Sequence, residues 1–107
     1  MELAGEKCVP ISGSTQPLTR DEVALLASDA SGWTIGELAI ERVITFKNFR
    51  AAMDFVNHIA EIAEMQNHHP DIAINYNKVT LALSTHKIGG LSRNDFILAA
   101  MINKVVG

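Results

Sequence analysis

Hydrophobic positions along the chain follow two alternating periods, and the switches between them predict the elements. Between Trp33 and Phe46, Leu38, Ile40, Ile44 and Phe46 recur at every second position, broken by Arg42, as a half-buried strand requires. Ile35 and Gly36 precede them as a first strand, so the pattern predicts a hairpin turning near Glu37 to Ala39. The period then lengthens. Phe49, Ala52, Met53, Val56, Ile59, Ala60 and Ala63 follow the i, i+3, i+4, i+7 rule and predict a helix over 49–67, capped by Asn48. Phe55 and Ile62 widen its apolar stripe; a broad core face and a subunit contact account for the excess equally well.

Alternation returns in Ile72, Ile74 and Tyr76 and again in Val79, Leu81 and Leu83, two strands joined through Tyr76-Asn77-Lys78. Two further helices flank this set. Thr19-Arg20-Asp21-Glu22 has the spacing of a capping box and opens a short helix through Val23, Leu25, Leu26 and Ala27. Ser92-Arg93-Asn94-Asp95 repeats the device with Asp in place of Glu, ahead of Phe96, Ile97, Ala100, Met101 and Val105. The order α-β-β-α-β-β-α predicts an α+β domain over 18–107. Residues 1–17 carry Gly5, Pro10, Gly13 and Pro17 with no period to bury, and read as a poorly ordered N-terminal arm.

Composition removes several classes of function. A net charge of −3 and scattered basic residues argue against nucleic acid as a partner. No apolar run approaches the ~20 residues of a membrane span, and the first residues lack the layout of a secretory signal. Cys8 is the sole cysteine, which rules out an internal disulfide and the four-thiolate zinc patterns and suits a reducing, cytoplasmic setting. Cys8 reads as an unpaired surface thiol without a role.

The chemistry concentrates between Glu64 and Asp95, a stretch holding His68, His69 and His86. Pro70 forces the long helix to end near His68, because it disfavours the helical conformation at His69 and has no N–H to donate. The histidine pair thus sits at a helix C-terminus, where partial negative charge favours protonated imidazole. Parity puts His86, with Thr80, Ala82 and Ser84, on the strand face opposite the leucines. Imidazoles with unperturbed pKa near 6.5 can hold acid and base forms together at neutral pH, with Glu64 and Asp95 fixing tautomers or orienting a substrate. His68, His69, His86 and Glu64 could also form a zinc set, but adjacent side chains point apart and no His-Glu-x-x-His is present. His58 falls opposite the apolar stripe and is assigned to solvent.

At these residues the chain resembles the pterin-4a-carbinolamine dehydratase family, whose members are also described as dimerisation cofactors of a homeodomain transcription factor. Glu64, His68, His69, Pro70, Tyr76, His86 and Asp95 meet the family pattern at every position and interval, and the likeness runs from Leu18-Thr19 through Gly32-Trp33 to the last helix. The resemblance implies a four-stranded antiparallel sheet with three helices on one face, assembled as homodimers or homotetramers. It implies dehydration of 4a-hydroxytetrahydropterin to quinonoid dihydropterin, with no cofactor and no metal. His68, His69 and His86 would supply acid-base catalysis. Asn67, Ser84 and Thr85 would flank the pterin, Trp33 would line the pocket, and Glu64 and Asp95 would complete the substrate site. The alternative is a non-catalytic dimerisation or regulatory module of the same fold.

Overall fold

Both predicted helix starts are formed as the side-chain chemistry requires. In the computed structural model, which describes residues 2–107, α1 spans Arg20–Leu26. Thr19 Oγ1 accepts the Glu22 N–H at 3.2 Å while Glu22 returns a carboxylate oxygen to the Thr19 N–H at 2.8 Å. The chain continues through β1 (Thr34–Ile35), β2 (Ile40–Thr45), α2 (Phe49–Gln66), β3 (Asp71–Asn75), β4 (Lys78–Leu83) and α3 (Arg93–Val106). This is the predicted α+β order.

The sheet runs β1-β2-β4-β3, all neighbours antiparallel. Register aligns Ile40 with Leu83, Arg42 with Leu81 and Ile44 with Val79, so one face of the central pair is apolar except for Arg42, which bonds to Asn103 Oδ1. The helices cover that face, and Val79, Leu81 and Leu83 join Ile59 of α2 and Phe96, Leu98 and Ile102 of α3 in one core. Glu41, Val43 and Thr45 of β2 stay exposed on the other face. Edge strand β3 is exposed along its length, although Ile72 and Ile74 alternate as a buried strand would.

α3 is enclosed through its first half: Asn94 through Ala100 are all buried, because the helix is sandwiched between α2 and the chain start. Two expectations change, at His86 and in residues 1–17. The strand period does not reach His86. β4 ends at Leu83, Thr85 turns inward, and His86 begins a 3-10 turn over His86–Ile88, exposed but off the strand. Residues 1–17 are not an arm with nothing to bury, as far as they are described. Leu3 is fully buried in the core, its N–H bonded to Asp29 Oδ2 at 2.9 Å. Gly90 admits the same segment at close range, since a Cβ there would come within 2.9 Å of Pro17.

Candidate active site

The end of α2 sets the geometry. Asn67 adopts the left-handed conformation at φ 52°, the His68 N–H bonds back to the Ala63 carbonyl and the Asn67 N–H to that of Glu64, which together form a Schellman closure. The chain therefore leaves the helix sharply at His68, ahead of Pro70. The two histidines diverge across this bend. His68 reaches α3, its Nε2 lying 2.6 Å from Asp95 Oδ1, while His69 folds back so that its Nε2 meets Glu64 Oε2.

Asp95 is the most constrained group of the set. It is fully buried, and its Oδ2 accepts the Thr85 hydroxyl and the Ser92 N–H, both at 2.9 Å. Since Thr85 Oγ1 donates to Asp95, the 2.7 Å contact between the Thr85 and Ser92 hydroxyls must have Ser92 as donor. A carboxylate supplied with so many donors acts as acceptor towards His68 as well. That holds the imidazole proton on Nε2 and leaves Nδ1, which has no protein partner among the described residues, to act. His69 is set in the same sense by Glu64. His86 has only a long contact, Nε2 to Ser84 Oγ at 3.4 Å.

A cleft of about 520 Å³ joins His68, His69, His86, Asn67, Ser84 and Thr85, a size suited to a small organic ligand. Of the residues expected to meet a ligand, Trp33, Glu64 and Asp95 are not among those that line the cleft. Trp33 is buried in the core and donates from Nε1 to Asn103 Oδ1 at 2.8 Å, away from the cleft, so its indole is consumed in packing. Asp95 has no exposed surface and serves by holding His68. Thr85 lines the cleft, with its hydroxyl committed to Asp95. Among the described residues no three His, Cys, Asp or Glu side chains are grouped to hold a metal ion, in keeping with the divergence of the histidine pair. The cleft also has members that sequence reasoning missed, Cys8, Val9, Pro10 and Ile11, for which a segment without period gave no signal. Burial first, and the Asp95 charge second, push the Cys8 thiol up to about 11.

The family model for pterin 4 alpha carbinolamine dehydratase matches residues 16–105, nearly the whole domain and every histidine of the cleft. The chain belongs to this family. Relatives named as putative pterin-4-alpha-carbinolamine dehydratases include one from Rubrobacter xylanophilus, 43% identical over 97% of this chain and 98% of the relative. Another, from Nitrosospira multiformis, is 42% identical over 95% of this chain and 90% of its own length. The crystal structure of a transcriptional coactivator/pterin dehydratase from Brucella melitensis superposes with a TM-score of 0.79 at 33% identity, covering 86% of this chain and all of that one. The pterin dehydratase fold thus accounts for the three helices on one four-stranded sheet.

Proposed function

We propose that this chain is a 4a-hydroxytetrahydropterin dehydratase, a hydro-lyase that eliminates water to give quinonoid dihydropterin. The observation that carries the reading is His68, partly buried against a carboxylate that fixes its proton on Nε2 and leaves Nδ1 free as a base at a cleft of ligand size. In the elimination the ring N–H proton passes to His68 Nδ1. The C–O bond breaks, and the departing hydroxyl takes a proton from His69 or His86, so one proton leaves the pterin and one returns as water. Asp95 stabilises the imidazolium that forms, without itself taking the proton. Asn67 and Ser84 flank the pterin at the cleft mouth.

The same reading takes the protein as a cytoplasmic homodimer or homotetramer. The apolar positions open on β3, Ile72 and Ile74, and on α2, Phe49 and Met65, support assembly of this kind. No helix of the described residues is long and apolar enough to cross a membrane. The test is direct assay of 4a-hydroxytetrahydropterin dehydration with His68→Ala, His69→Ala and His86→Ala made singly. His68→Ala should lower kcat by about 10²-fold or more, the usual yield of positioned acid-base catalysis, with the fold intact by circular dichroism. Unchanged turnover in all three variants would sink the reading and favour a non-catalytic binding module.

A further inference from the structure

The first turn of α3 holds two things at once. Asp95 fixes His68, and the residues just before it fix the chain start. The Asn94 side chain brackets the backbone of Val9, accepting its N–H on Oδ1 at 3.0 Å and donating from Nδ2 to its carbonyl at 2.7 Å. Arg93 meets Glu6 through two bonds, Nε to Oε1 at 2.9 Å and Nη2 to Oε2 at 2.7 Å. Gln66, at the end of α2, accepts the Cys8 N–H at 2.9 Å. With Leu3 anchored in the core on one side and the Leu18 N–H bonded to the Leu91 carbonyl at 2.9 Å on the other, the segment is tied down on both sides of the stretch that lines the cleft.

That stretch is chemically unlike the rest of the lining. Val9 has only its side chain to offer, since Asn94 takes both of its backbone groups, and Pro10 beside it has no N–H. Val9 is largely exposed, an apolar side chain held open at a polar site. It lies outside the span matched by the family model, which begins at residue 16. Such a surface suits the apolar face of a flat heterocycle whose edge hydrogen-bonds elsewhere.

We infer that Val9–Ile11 is a substrate-recognition wall of the cleft, taking the face of the pterin, and that Asn94 is the positioning residue that latches it. The inference rests on the pterin reading of the site. Its test is calorimetric binding of 7,8-dihydrobiopterin, a stable pterin, to the whole chain and to Val9→Asp, Val9→Ile and Asn94→Ala, alongside kcat and KM. Val9→Asp should weaken binding about tenfold, the scale of a lost apolar contact in a pocket. Asn94→Ala should act in the same direction, raising KM several-fold while kcat moves less than about twofold, a split that general destabilisation would not produce. Val9→Ile should bind as the parent does. Parent affinity in both Val9→Asp and Asn94→Ala would overturn the wall, and if Asn94→Ala does not fold, the exposed Val9 variant decides alone. A parent that binds 7,8-dihydrobiopterin but does not dehydrate 4a-hydroxytetrahydropterin would sink the dehydratase reading while the affinities still decide the wall. A parent that fails to bind the pterin overturns both.

Discussion

His68 and His69 are adjacent in sequence and each bonds through Nε2 to a carboxylate, yet the two pairs differ in what surrounds them. In His68–Asp95 the side chains are 12% and 0% exposed; in His69–Glu64 they are 52% and 76% exposed. Water and salt screen the second pair, and exposed pairs of this kind contribute ~0–1 kcal/mol. The first lies where screening is weak and every lone pair of Asp95 that is engaged has a donor fixed by the fold. Similar chemistry therefore gives one rigid, oriented imidazole and one that exchanges freely with solvent, a division suited to a committed base and a proton source.

The sharpest way to break this contrast is at Asp95. In Asp95→Asn the amide oxygen must stay with the Thr85 hydroxyl and the Ser92 N–H, so the amide NH₂ faces His68 and drives its proton to Nδ1. The base is then lost, and kcat should fall by about 10²–10⁴-fold, read by the dehydration assay. Asp95→Ala should in addition cost about 3–5 kcal/mol in urea unfolding, since buried donors lose their acceptor. Glu64→Gln should change stability by less than about 0.5 kcal/mol and kcat by less than tenfold, with the difference shrinking in 1 M salt. A large loss there would make the exposed pair the working one.

Cys8 gives the finest measure of the difference, because it responds to the buried carboxylate. Its raised pKa means that the thiolate stays scarce until the pH approaches about 11, so alkylation by iodoacetamide should climb through that value rather than through the ~8.5 of a free thiol. Asp95→Asn should move the profile down, and Glu64→Gln should leave it in place.

Much of this was legible in the chain because it was local. Thr19 and Glu22 make the bonds their spacing announces, Pro70 ends α2, and the alternation of Val79, Leu81 and Leu83 marks the core face. The site was legible as a set of residues through the histidines and the two carboxylates. Their roles were not, since whether a carboxylate meets substrate or holds an imidazole depends on a contact between α2 and α3. Trp33 could not be placed because its partner, Asn103, lies at the far end of the chain. Leu3 and Val9 escaped notice because a segment that packs by single anchors has no period to detect.

The latch at the start of α3 has a kinetic consequence. Ser92, Arg93, Asn94 and Asp95 are consecutive, so fraying of that one turn would loosen His68 and the chain start in a single step, before the sheet opens. Loss of activity on mild denaturation should then precede loss of strand structure, and the Val9 and Ser92 amides, both bonded to this turn, should exchange with solvent as one cooperative unit.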